Sequence, residues 1–150
     1  MELDRNGLEV LSPSECIRLL STVNVGRVGL SLNALPVIFT VNFTLDGDEI
    51  VFRTRPGTKL TAALAGNVVC FQADRLDPEG HFGWSVAVTG QALVVDEHSE
   101  RLNRLGLVNW LDEAHWVRVS NDVVTGRRRN PAKARLVDLT TAQSTASTAQ

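Results

Sequence analysis

Tyrosine is absent from this chain, methionine occurs once and cysteine only twice in 150 residues. Cys16 and Cys70 are too few and too far apart for a disulfide framework or a metal site. Both stand among apolar neighbours and are expected to be small core residues. No apolar run approaches the roughly 18–20 residues that span a bilayer, so no membrane role is expected. The first ten residues carry Glu2, Asp4, Arg5 and Glu9. They lack the basic start and apolar stretch of a signal peptide, which makes a cytoplasmic address the default.

Several chemical signatures are missing too. There is no Gly-x-Gly-x-x-Gly, no Walker loop and no Gly-x-Ser-x-Gly elbow. His81, His98 and His115 each stand alone, without metal-ligand spacing. These absences weigh against a hydrolase and a metalloenzyme, and they leave catalytic residues unassigned. The formal net charge is −2, which disfavours a nucleic-acid partner. The strands also lack the exposed aromatics on which bases stack.

Acidic residues are absent from two stretches. None lies between Glu49 and Asp74, where Arg53, Arg55 and Lys59 fall. None lies between Asp122 and Asp138, where Arg127, Arg128, Arg129, Lys133 and Arg135 fall. Two basic islands in an acidic protein leave room for a small anionic ligand.

What is present is patterned for strands. Ser12-Pro13-Ser14-Glu15 is a helix start with a capping box, and the helix should end near Val23-Asn24. Val37, Phe39, Val41, Phe43 and Leu45 occupy alternate positions, a strong strand signal. Asp46-Gly47 is a hairpin turn, and Ile50, Phe52 and Thr54 share a face of the return strand. Pro56-Gly57 breaks that strand, and Thr58 can cap a short helix closed by Gly66. Further strands are expected over 28–32, 68–73, 84–96 and 116–120, with Val123 and Val124 continuing the last. Gly90 marks a bend in the long strand, and a further helix is expected over 96–108. The resulting fold class is mainly β: a small closed barrel of about six strands with flanking helices. It occupies one domain over 1–135. The tail over 136–150, rich in Ser, Thr, Ala and Gln, is expected to be disordered.

The chemically informative segment runs from Phe52 to Leu60. Arg53 and Thr54 end a strand, a tight turn follows, and Lys59 opens a helix. Cations, a hydroxyl and free backbone N–H groups are what a phosphate requires. The bland alternative is an exposed hairpin corner with solubilising charges.

With these pieces in order, the chain resembles the pyridoxamine 5′-phosphate oxidase-like, FMN-binding split β-barrel family. The branch is the flavin-nucleotide-binding or nitroimidazole-resistance-like one. The resemblance is carried by Gly26-Arg27-Val28, Pro36 to Asn42, Phe52-Arg53-Thr54 with Lys59, Gly83 to Val86 leading to Thr89-Gly90, and Val124 to Arg128. It implies a six-stranded antiparallel split barrel and a homodimer with flavin at the interface. It also implies an oxidoreductase that exchanges electrons with a small-molecule donor or acceptor. By the same resemblance, Arg53, Thr54 and Lys59 hold the phosphate of FMN and Asn42 lies along the ring edge. Trp84 and Ser85 lie at the interface, where Trp84 is equally a core residue. Arg128 approaches the phosphate or belongs to a solvated basic cluster. A deazaflavin coenzyme is the alternative ligand. A deazaflavin-dependent reductase or a flavin sensor or store without turnover are the alternative functions.

Overall fold

Strands form where the apolar alternation is strongest, and their inward faces meet as one core. The computed structural model describes residues 1–55, 58–95, 102, 104–105 and 115–129. In chain order the elements are β1 (Glu2–Leu3), β2 (Glu9–Val10), α1 (Pro13–Leu20), β3 (Val25–Leu32), β4 (Leu35–Asp46) and β5 (Glu49–Thr54). Then come α2 (Lys59–Leu64), β6 (Val68–Leu76), β7 (Gly83–Val95), β8 (His115–Val119) and β9 (Val123–Arg129). Every pairing is antiparallel, and the ring β3-β4-β5-β8-β7-β6 closes through β6 and β3. This is the six-stranded barrel expected from the sequence. β9 lies outside the ring against β7, followed by the short β2 and β1. No helix among the described residues is long and apolar enough to cross a membrane.

The inner face holds Val28, Val41, Phe43, Ile50, Phe52, Phe71, Trp84, Val86, Val88, Val117 and Val119 in one apolar cluster. The rings of Phe43 and Phe71 meet edge-on, with centroids 4.6 Å apart. Gly26 makes room for them, because a Cβ there would sit 2.3 Å from the Phe71 ring. A second, smaller cluster lies on the outer face, where Val51 and Trp116 pack with Leu102.

Two strands change partners along their length. The β4–β5 ladder ends at Phe43↔Phe52, while β4 pairs with β3 up to Asn42↔Val25. The end of β5, Arg53-Thr54, therefore pairs with β8 alone. On β7 one edge serves β9 over Thr89 and earlier residues, then β8 from Ala92 onward. Gly90 sits at that change, under the turn that joins β8 to β9.

Some local expectations are corrected. α1 stops at Leu20 rather than near Asn24, because the hydroxyls of Ser21 and Thr22 take the carbonyls of Arg18 and Leu19. Ser12 caps by accepting from the Glu15 amide, but the Glu15 carboxylate turns to arginines instead of completing the box. Val123 and Val124 do not continue the preceding strand. Ser120 bonds Asp122 in a turn and the chain reverses into β9. Cys16 is buried, whereas Cys70 is exposed, since Val69, Phe71 and Ala73 take the inward positions of β6. Most of the helix expected over 96–108, and the tail over 136–150, lie outside the described residues.

Gly90→Ala should destabilise the fold by about 1–3 kcal/mol, the usual range for overpacking. A Cβ there would fall 1.7 Å from the Ser120 carbonyl oxygen, so backbone must move. Urea unfolding measures this; a variant as stable as the parent would show that the β8–β9 turn is not pressed onto β7.

Candidate functional site

The two basic islands have different fates. Arg127 pairs with Asp4 at 2.9 Å, and Arg129 donates to the Gly80 carbonyl. Arg128 holds Glu9 through Nε and Nη2 and reaches Glu15 through Nη1, at 3.0–3.1 Å. The acids come from the N-terminal segment, more than a hundred positions away. Two of the three described arginines of the second island, Arg127 and Arg128, are thus paired with carboxylates. Arg128 belongs to this ion network rather than to a free solvated cluster.

The first island is not neutralised. Among the described residues neither Arg53, Arg55 nor Lys59 forms an ion pair. Arg53 points to the outer face of β5, where its guanidinium carbon lies 4.8 Å from the centre of the Trp116 ring. That is a cation–π arrangement. Register explains it, since Arg53 pairs with Trp116 across the β5–β8 ladder. The Arg53 Nε is buried and, among the described residues, has no hydrogen-bond partner. An unsatisfied buried donor on a charged group is costly, and such an atom marks where an acceptor belongs.

The turn to Lys59 is tied down by threonines. Thr58 caps α2 by accepting from the Thr61 amide at 3.1 Å. The Thr61 hydroxyl donates to the Arg55 carbonyl, and the Thr54 hydroxyl is 3.5 Å from it. Lys59 is exposed at the start of α2. The helix has only six residues, so the cations rather than the helix dipole supply the attraction. Asn42 is the last β4 residue on the β3 ladder, and its continuation across the fork would meet Arg53. Arg53 and Asn42 therefore flank the place where β4 and β5 part, on the outer face, while Thr54 is buried on the opposite face and Lys59 follows, exposed, at the start of α2.

The remaining candidates lie elsewhere. Trp84 is buried in the core cluster, 7% exposed. Ser85 faces outward on β7, opposite Asp74 and Arg127. His81 is less isolated than its sequence position suggests. Its ligand atom and those of Asp77 and Glu79 lie within 4.8 Å on the exposed loop before β7.

A closed six-stranded barrel with a forked hairpin and a cationic corner that no carboxylate neutralises among the described residues defines a split barrel. Residues 12–147 match the family described as pyridoxamine 5′-phosphate oxidase, and the chain belongs to that family. It is 38% identical over 137 residues to Rv0080, an uncharacterised protein of Mycobacterium tuberculosis, covering 85% of this chain and 84% of that one. The structure of an FAD binding protein from Mycobacterium smegmatis superposes with a TM-score of 0.70 at 38% identity, covering 80% of this chain and 97% of that one. A putative pyridoxamine 5′-phosphate oxidase from Corynebacterium glutamicum gives 0.69 at 27% identity, covering 85% and 97%.

The Arg18 guanidinium, with Arg128 behind it, pulls the Glu15 carboxyl from an ordinary 4.5 down to about 2. A depressed carboxylate stabilises the fold above its unfolded value and loses that contribution as pH falls through the folded one. Glu15→Gln should therefore be less stable than the parent at neutral pH. The difference should shrink between pH 4.5 and 2. Melting temperatures measured across that range check it; a constant offset would mean that the charge of Glu15 is not what holds the network.

Proposed function

We propose that the protein binds a flavin nucleotide, with the phosphate next to the ribityl chain at Arg53 and Lys59. FMN is the smallest ligand that meets this requirement, and FAD contains the same unit. The reading is carried by one observation: a buried, unpartnered Arg53 Nε inside the one basic island that no carboxylate neutralises among the described residues. The FAD binding relative at 38% identity supports it. Trp116 holds the Arg53 guanidinium over its ring, and a guanidinium offers several N–H groups to phosphate oxygens. The Thr58 and Thr61 bonds fix Lys59 relative to Arg53. Asn42 orients the ring edge at the fork. A bound flavin supplies hydride and electron chemistry, so the chain needs to bind and orient rather than provide an acid–base pair. An oxidoreductase acting on a small-molecule donor or acceptor is the corresponding activity.

The proposed assembly is a homodimer through the outer face of β3, β4, β6, β7 and β9. One cross-strand row there reads Ile38, Gly29, Cys70, Thr89 and Val123. Ile38 is 76%, Val68 69% and Val123 57% exposed. Small residues between exposed aliphatics make a flat apolar surface of the kind that interfaces cover. The face runs on to Val25 and its partner Asn42, so a second copy would wall the flavin corner.

Lys59→Ala should weaken FMN binding about 10- to 100-fold while riboflavin, which has no phosphate, is little affected. Arg53→Ala should do the same, and the two ligands together form a double-mutant cycle. Fluorescence titration reads it; equal losses for both ligands would reduce Lys59 to a structural role. Ile38→Asp should convert a dimer into a monomer in light scattering and lower flavin affinity. A parent that is monomeric with flavin bound would remove the assembly.

A further inference from the structure

Between α2 and the adjoining ends of β7 and β8 lies a cavity of about 330 Å³, lined by Thr58, Thr61, Ala62, Ala65, Val94 and His115. We infer that this cavity is a binding site in its own right, for an uncharged single-ring molecule that carries one hydrogen-bonding group on an apolar body. Phenol is the simplest member of that class. The inference does not depend on the flavin reading.

Position comes first. The cavity lies on the inner side of the barrel, away from Arg53 and Trp116, which stack on the outer face. On β5 the inward positions are Ile50, Phe52 and Thr54, and their partners on β8 are Val119, Val117 and His115. His115 is thus the last inward residue of its strand, below the apolar core. Val94, the partner of Val117, brings β7 to the same end. α2 meets this end with two sides. Leu60, Ala63 and Leu64 pack on the core, while Thr61, Ala62 and Ala65 turn to the cavity. Side chains that short leave the space beside His115 unfilled.

Chemistry comes second. None of the lining residues is Asp, Glu, Lys or Arg, and a charged ligand would give up hydration there without a fixed countercharge. Ala62, Ala65 and Val94 give apolar walls for the faces of a flat ring. The hydroxyls of Thr58 and Thr61 are 2.9 Å apart and are engaged with each other and with the Arg55 carbonyl. His115 is half-buried, and among the described residues its imidazole has no hydrogen bond or ion pair. A neutral imidazole offers one donor and one acceptor, so it is the group that a ligand hydroxyl or carbonyl would meet. A cavity of about 150 Å³ already holds a benzene ring, and ligand sites run from roughly 300 to 1,000 Å³. The space therefore suits one ring with short substituents.

Calorimetric titration of the full chain with phenol, toluene and benzoate tests this, using the parent, His115→Ala and Ala62→Leu, with the His115 imidazole resonances followed by NMR in the parent. Ala62 is exposed on α2, so the leucine fills the cavity without entering the core. Phenol should bind the parent about 2- to 10-fold more tightly than toluene, the contribution of one neutral hydrogen bond. It should also shift the His115 resonances, and benzoate should bind more weakly than phenol. His115→Ala should erase the advantage of phenol over toluene, and Ala62→Leu should abolish the binding of both. Phenol binding no tighter than toluene, His115 resonances that do not move, or phenol binding that survives Ala62→Leu would each overturn the inference. Benzoate binding more tightly than phenol would assign the cavity to an anion and overturn the ligand class. The parent resonances and the Ala62→Leu variant decide the question even if His115→Ala fails to fold.

Discussion

Two strands that change partners set the form of this molecule. A barrel strand ordinarily keeps one neighbour on each edge. Here β5 is left by β4 after Phe52, and β7 passes one edge from β9 to β8 around Gly90. The second change is possible only because position 90 carries no side chain against the Ser120 backbone. The first opens a fork in the β4–β5 hairpin, and the fork is where Asn42 and Arg53 lie. Closure of the core and opening of the site are consequences of the same strand geometry.

Charge is distributed to match. Arg127 and Arg128 of β9 are consumed by carboxylates from the N-terminal segment, which fastens β2 and α1 to the sheet. Those at the fork have no such partners among the described residues. Arg53 rests on Trp116 with a buried nitrogen unsatisfied. A cation held over an aromatic face loses less entropy on meeting an anion than a free one would. The Thr58 and Thr61 hydroxyls tie the start of α2 to the Arg55 carbonyl.

The outer sheet face and the inner core divide the side chains by strand alternation. Phe71 and Val69 go in and Cys70 goes out, on one short run of β6. Local hydrophobicity cannot separate these neighbours, because all three are apolar and only the phase of the strand distinguishes them. The outer surface that results abuts the fork between β4 and β5 at Val25 and Asn42.

Periodicity and short-range hydrogen bonding were legible in the chain itself. The alternation from Val37 to Leu45, the Asp46-Gly47 turn, the Ser12 and Thr58 caps and the acid-free run around Arg53 all follow from residues a few positions apart. The resemblance to the split-barrel family was legible in the same way, from short motifs in order. Tertiary structure alone decided that β9 is a separate strand and that Arg128 is spent on Glu9 and Glu15 while Arg53 is left over Trp116. It also decided that Trp84 turns into the core and that His115 lines a cavity beside α2. Each of these outcomes depends on contacts between residues some 25 to 120 positions apart. A local pattern sets which way a side chain can point from its strand, but the partner it meets is set by which strand edges pair, and that is settled only when the barrel closes.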